Sequence, residues 1–170
     1  ESSEPRFQGA RRVENLVSNS EDLTNAAWQK LNGVIATNAT TATFNGTTNG
    51  LLLTQFVPPA RNTGDGFYCF SADVSLVSGT VTADLDIKIV TGALGVLSVT
   101  LALGNSLTNS PQRFTVTAPA LTSANHRVDF GFYSQIAAVC TFTNAMVEWI
   151  PSSQTNQNPS EYVSTGVASA

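Results

Sequence analysis

From Val34 onward the chain reads as β, and in several of its segments apolar and polar residues alternate with period two. A strand points successive side chains to opposite faces, so this alternation describes a sheet with one dry face and one wet face. It is incompatible with helical spacing, which groups apolar residues three and four apart. Phe70, Ala72, Val74 and Leu76 share one face, with Cys69, Ser71, Asp73 and Ser75 on the other. Leu85, Ile87 and Ile89 oppose Asp84, Asp86 and Lys88. Leu97, Val99, Leu101 and Leu103 form another apolar face, followed by Phe114 and Val116, then Val128, Phe130 and Phe132.

Strands are expected near 34–44, 50–57, 67–77, 81–90, 96–103, 112–118, 127–135 and 138–150. Turn residues separate them: Asn45-Gly46, Asn49-Gly50, Pro58-Pro59 with Gly64 and Gly66, Ser78-Gly79, Gly92 with Gly95, and Gly104-Asn105. Half-buried antiparallel strands of this kind close into an all-β, two-sheet jelly-roll sandwich. Phe70, Val74, Ile87, Val99, Phe114, Val116, Phe130 and Phe132 are its expected core. Before the sheet, Ser18 and Glu21 have capping-box spacing, and Glu21 with Asp22 suits a helix first turn, so a short helix is expected over 21–28. The organisation read from composition is a connector over 1–13, one domain over 14–150 and a Ser/Gln/Asn-rich linker or tail over 151–170.

Charged residues are only 12% of the 170, against roughly 25% in ordinary domains. Threonine, serine and asparagine fill the difference, which suits strands and turns. A net charge of −4 with scattered Lys and Arg lacks the basic stripe that neutralises phosphates, which argues against a nucleic-acid partner. Residues 1–8 have no apolar core of a signal peptide, and the run Ile89–Leu103 is too short and too polar for a membrane helix.

Three stretches resemble a phage family. Glu14–Lys30, "ENLVSNSEDLTNAAWQK", resembles the opening of carbohydrate-binding-like domains in phage tail-fibre, head-fibre and spike proteins. Tyr68–Gly79, "YCFSADVSLVSG", resembles their Phe-Ser-Val-Tyr-type strand. Phe142–Glu148, "FTNAMVE", resembles their last strand, where Gly-Ala-Gln is usual in place of Asn144-Ala145-Met146. The flanks Glu4–Arg12 and Asn158–Val167 are similar to segments around that domain. The resemblance implies a jelly roll related to carbohydrate-binding modules, a place on the virion after folding in the host cytoplasm, and trimeric assembly with other virion proteins as partners. The alternative is a purely architectural decoration or adaptor domain. Modules of this shape often carry a structural calcium near the chain ends, and hard oxygen ligands stand at Glu14, Asn15, Asp22 and Glu148.

Sugar binding needs aromatic faces with amides and carboxylates nearby. Tyr133 is out of phase with Phe130 and Phe132 and is expected outside, with Asp129 and Gln135. Trp149 ends the last strand at rim, interface or core; Trp28 and Tyr68 read as packing residues. Asp84 and Asp86 would stand about 7 Å apart on one strand face. That separation formally suits a glycosidase, although a solvated strand face or a glycan contact fits Asp-x-Asp-x-Lys better. The sole histidine, His126, reads as a turn residue entering a strand, with no nucleophile motif near it. A non-enzymatic module is therefore expected. Cys69 and Cys140 are the right number for one disulfide, a pairing that a reducing folding compartment disfavours. Neither lies in a CxxC pair, which argues against zinc.

Overall fold

The computed structural model describes residues 13–56, 62, 64–82, 85–91, 107–120, 126–132, 134–154, 158 and 160–161. Among these, nine strands are formed: β1 (Trp28–Leu31), β2 (Ile35–Ala36), β3 (Thr41–Asn45), β4 (Gly50–Gln55), β5 (Phe67–Gly79), β6 (Asp86–Thr91), β7 (Gln112–Pro119), β8 (His126–Phe132) and β9 (Ala137–Ile150). They make two antiparallel sheets, one ordered β1-β4-β8-β6 and the other β2-β3-β9-β5-β7. The fold is the expected all-β jelly-roll sandwich.

Parity builds the core. Leu52, Phe130 and Ile87 are aligned across β4, β8 and β6, and all three point inward. Val74 and Phe142 pair across β5 and β9 and do the same from the opposite sheet. Phenylalanines then lace the sheets together, edge-to-face except for the tilted pair Phe130–Phe70. Phe132 meets Phe44 at 4.9 Å, Phe44 meets Phe142 at 6.1 Å, Phe142 meets Phe130 at 4.6 Å, and Phe130 meets Phe70 at 5.7 Å. Such pairs add about 0.5–1.5 kcal/mol each beyond the area they bury. All the expected core residues are buried except Val99, which lies outside the described residues, as does the whole expected strand 96–103.

Where the helix was expected over 21–28, the chain makes turns and then enters β1 at Trp28. Local side chains win over the helical ladder. Asn19 takes a left-handed φ of 52°, the Asp22 carboxylate accepts from the amide and hydroxyl of Thr24, and Asn25 accepts from the amide of Ala27. The Trp28 indole donates to the Asn19 carbonyl and tucks this loop onto the sandwich. The strand expected over 34–44 is a hairpin, β2–β3, because Asn38 accepts from the amide of Thr40 and turns the chain. Among the described residues, β6 takes up the expected strand 81–90 from Asp86, with Val81, Thr82 and Leu85 outside it, and β8 takes up that over 127–135 as far as Phe132, with Ser134 and Gln135 outside it.

The segment before the turns stitches the two sheets at one end. Asn15 is buried, and its side-chain amide donates to the Ala145 carbonyl and accepts from the amides of Val147 and Val17. Leu16 bonds β9 through the Val147 carbonyl, and Val17 bridges to Phe56 beside β4. Most of the connector 1–13 and most of the tail 151–170 lie outside the described residues; within the latter, Pro151 and Gln154 close a turn.

Cys69 and Cys140 are both buried thiols that form no disulfide. Cys140 faces the core, where burial pushes its thiol up to about 12. Cys69 lies opposite Glu148, eight residues further along β9 and on the other sheet face. That is roughly 25 Å along the strand, far beyond disulfide reach.

If the phenylalanine lacing carries the sandwich, Phe130→Ala will cost about 3–5 kcal/mol in chemical denaturation. Val77→Ala, at a side chain 57% exposed, will cost no more than about 0.5 kcal/mol. Similar losses for both variants would contradict this packing.

Candidate functional site

Once Leu52, Phe130 and Ile87 point inward, their neighbours must point out. The outer face of the four-stranded sheet therefore carries two defined rows. Gln29, Leu53, Asp129 and Lys88 form one across β1, β4, β8 and β6. Leu31, Leu51, Gly131 and Asp86 form the next. Gly131 has a φ of 155°, and a Cβ there would lie 2.2 Å from the Gly50 carbonyl oxygen, so no larger residue fits. It leaves a gap in the row between Leu51 and Asp86.

A hollow of about 260 Å³ opens on this face. Leu31, Leu51 and Leu53 give it an apolar floor, Gln29 and Gln55 bring amides, and Arg127 with Asp129 forms a charged wall. Arg127 and Asp129 are two apart on β8 and so share the face. Arg127 is ion-paired with the carboxylate: its Nε lies 2.8 Å from Oδ1, and its Nη2 donates to Oδ2 at 3.2 Å. The Arg127 side chain is 50% exposed, whereas that of Asp129 is 6% exposed. Burial raises the Asp129 pKa, and the hydrogen bond from Arg127 with the positive charges of Arg127 and Lys88 offsets part of that rise.

The structure brings two of the expected ligand residues, Asp129 and Asp86, onto this one face. Gln135 is exposed in the connection after β8 and lies outside the rows. Of the three places open to Trp149, it takes the core: its ring is only 9% exposed, and its indole donates to the Asp65 carbonyl. Its parity with Val147 turns it inward, so it offers no face to a ligand. Tyr133 and Asp84 lie outside the described residues. His126 is corrected, from a turn residue to the first residue of β8. It is buried between Phe56 and Tyr68, with ring centroids 5.2 and 5.1 Å away. Tyr68 is core as expected; burial drives its phenol up to about 12, and Asn62 donates to it.

The expected calcium ligands are separately employed. Asn15 is spent on backbone groups, Asp22 on its turn with Thr24, and the buried Glu148 accepts from the Ser160 amide. Those bonds to Thr24 also hold the Asp22 carboxyl below its usual range. Glu14 is half-buried beside Asn15. Among the described residues, no three His, Cys, Asp or Glu side chains gather where a metal would sit.

The outer face of the five-stranded sheet is different in kind. Thr41, Thr141 and Ser75 stand in one row across β3, β9 and β5. Beside them Asn144, with a left-handed φ of 54°, donates to Asp73 at 2.6 Å. Arg113 donates to the Asn144 carbonyl and to Ser71, and lies 3.4 Å from Asp73. These groups satisfy one another and pin the irregularity in β9. Asn is one of the few residues besides glycine that tolerate the left-handed backbone at position 144.

Arg127 and the leucine floor were not singled out in the sequence. Arg127 had a usable signal, its parity with Asp129. Gly50-Leu51-Leu52-Leu53 had none, because an unbroken apolar run does not say which leucine faces out.

No protein-family model matches the chain, and no curated protein matches it. Solved structures do resemble it. The CBM22-1 xylan-binding domain from Paenibacillus barcinonensis Xyn10C aligns at 14% identity, over 85% of this chain and 99% of that one, with a TM-score of 0.58. A CBM4 module aligns at 14% identity over 81% of this chain and 95% of that one, TM-score 0.54. The enzymatically active domain of tailspike protein 4 from bacteriophage CBA120 aligns at 13% identity over 80% of this chain but only 21% of its own, TM-score 0.54. The shared feature is the fold, which is that of carbohydrate-binding modules.

The raised pKa of Asp129 has a definite sign. A carboxyl whose folded pKa lies above its unfolded value favours folding when protonated, so its contribution is fully present below pH 3.8 and is lost as pH rises through the folded value. Unfolding free energies of the wild type and Asp129→Asn, measured from pH 7 downward, will therefore diverge in favour of the wild type as pH falls, then level off. A constant difference, or one of opposite slope, would contradict the burial of this carboxylate.

Proposed function

We propose that this chain is a non-catalytic glycan-binding module of a phage virion appendage, and that a host-surface glycan seats in the hollow over β1, β4 and β8. The observation that carries the reading is the Arg127–Asp129 pair. Burying a carboxylate costs several kcal/mol, and an ion pair repays that poorly compared with apolar packing. This pair sits on an outer sheet face, where the core does not need it. Its chemistry suits hydroxyl groups. Arg127 retains outward N–H donors, Asp129 retains lone pairs, and Gln29 and Gln55 offer both. The leucines take the C–H surface of a ring. Support for the class of ligand comes from the neighbour that is a xylan-binding domain, and support for an appendage from the neighbour in the enzymatically active domain of a phage tailspike.

Binding is favoured over hydrolysis by the state of the carboxylates. Asp86 stands diagonally from Asp129, about 7–8 Å away by sheet geometry. That distance is one that glycosidases use. Asp129, however, is engaged by the Arg127 guanidinium, which favours the charged carboxylate and so works against the proton donation a glycosidase acid must make. Assembly as a homotrimer is part of the proposal. Ile35 and Val77, 60% and 57% exposed, are apolar surface that a neighbouring subunit or virion protein could cover, and they also suit the purely architectural alternative.

Glycan-array binding by the purified chain tests the reading. Binding to bacterial surface glycans is expected, with Arg127→Ala weakening it tenfold or more and no reducing ends released. Release of reducing ends that Asp86→Asn abolishes would make the chain a hydrolase. Absence of glycan binding, with a sedimenting trimer, would make it architectural; a monomer at micromolar concentration would remove the trimer.

A further inference from the structure

The hollow differs from an aromatic sugar platform in what its floor is made of. The flat C–H face of a pyranose pairs well with a flat aromatic ring. Among the described residues, none that lines the hollow is aromatic. The described tryptophans and Tyr68 are turned into the core, with exposures of 2% for Trp28, 9% for Trp149 and 0% for Tyr68. The floor is three leucines, and their arrangement is uneven. Leu31, on the edge strand β1, is 40% exposed, while Leu51 and Leu53 on β4 are 6% and 7% exposed. Branched aliphatic side chains at different depths make a dimpled surface. A flat ring touches such a surface at few points, whereas a methyl group fits between the branches and is removed from water on several sides.

The polar groups lie to one side of that floor. Arg127 and Asp129 stand on β8, across from Leu31 on β1, with β4 between them. A ligand that uses both ends must therefore carry a hydroxyl pair at one edge and a methyl group at the other. Common hexoses lack the methyl and would set a primary hydroxyl against leucine with no partner for it. Two sugar classes meet the requirement: 6-deoxyhexoses, through C6, and N-acetylhexosamines, through the acetyl methyl.

We propose that the hollow selects methyl-bearing sugars, with Leu31, Leu51 and Leu53 as the specificity-determining residues and Arg127–Asp129 as the hydroxyl-binding group. The inference rests on the glycan-binding reading above and adds the ligand class to it.

Matched monosaccharides test it with the full chain. Amide chemical-shift titrations would compare L-fucose with L-galactose, which differ by the C6 hydroxyl, and N-acetylglucosamine with glucose. Burying one methyl group is worth roughly a four- to tenfold preference. At least one methyl-bearing member should bind that much more tightly than its partner, and which pair responds identifies the source of the methyl. Leu31→Ser removes an exposed side chain that the fold does not need, and should bring that ratio to within about twofold. Arg127→Ala should weaken both members of a pair alike and leave the ratio standing. Equal affinity within both pairs would overturn the selectivity while leaving glycan binding intact. A methyl preference that Leu31→Ser leaves unchanged would overturn the assignment to this floor. Loss of all sugar binding, with array and titration both silent, would overturn the functional reading itself and the selectivity with it.

Discussion

The lacing of phenylalanines between the two sheets is the interaction on which the rest depends. Phe132, Phe44, Phe142, Phe130 and Phe70 touch in that order, and every contact but Phe44–Phe142, which lies within the five-stranded sheet, crosses from one sheet to the other. Each commits its strand to one orientation, because a slip of one residue would turn every side chain of that strand over. With Phe130 inward, Asp129 and Gly131 must face out. With Leu52 inward, Leu51 and Leu53 must do the same. The hollow is thus the geometric complement of the core, and its composition follows from which residues occupy the outward parity.

That dependence explains how far the sequence could be read. Strands β5, β6, β7 and β8 alternate cleanly, so their inner faces and the outward position of Asp129 were legible. The segment before β1 was not. Its Ser18/Glu21 spacing fits a helix start, yet Asn19, Asp22 and Asn25 bind nearby backbone groups and the chain turns instead. Leu51–Leu53 was opaque because alternation is absent there. Trp149 was ambiguous because the irregularity at Asn144 shifts the parity of β9, and only the register with β5 shows that the ring ends inside. His126 read as a turn residue because a lone imidazole beside a loop carries no sign of the aromatic neighbours that enclose it.

Polar groups inside this sandwich fall into two kinds. Asn15, Asn144 and Arg113 satisfy backbone or one another, and their absence would leave buried donors or acceptors unmet. Arg127 and Asp129 bond chiefly to each other, on a face that opens to a hollow. The first kind shapes the fold. The second is what distinguishes the outer face of the four-stranded sheet from that of the five-stranded sheet, where the threonine rows are flat and the charged groups are pinned.

The central claim is that ligand recognition belongs to that hollow. Residue-resolved amide shifts on titration with a bound bacterial glycan test it most directly. The account predicts perturbations concentrated in Gln29–Leu31, Leu51–Gln55 and Arg127–Asp129, the strands that line the hollow. Perturbations confined instead to Thr41, Asp73, Thr141 and Asn144 on the opposite sheet would contradict it.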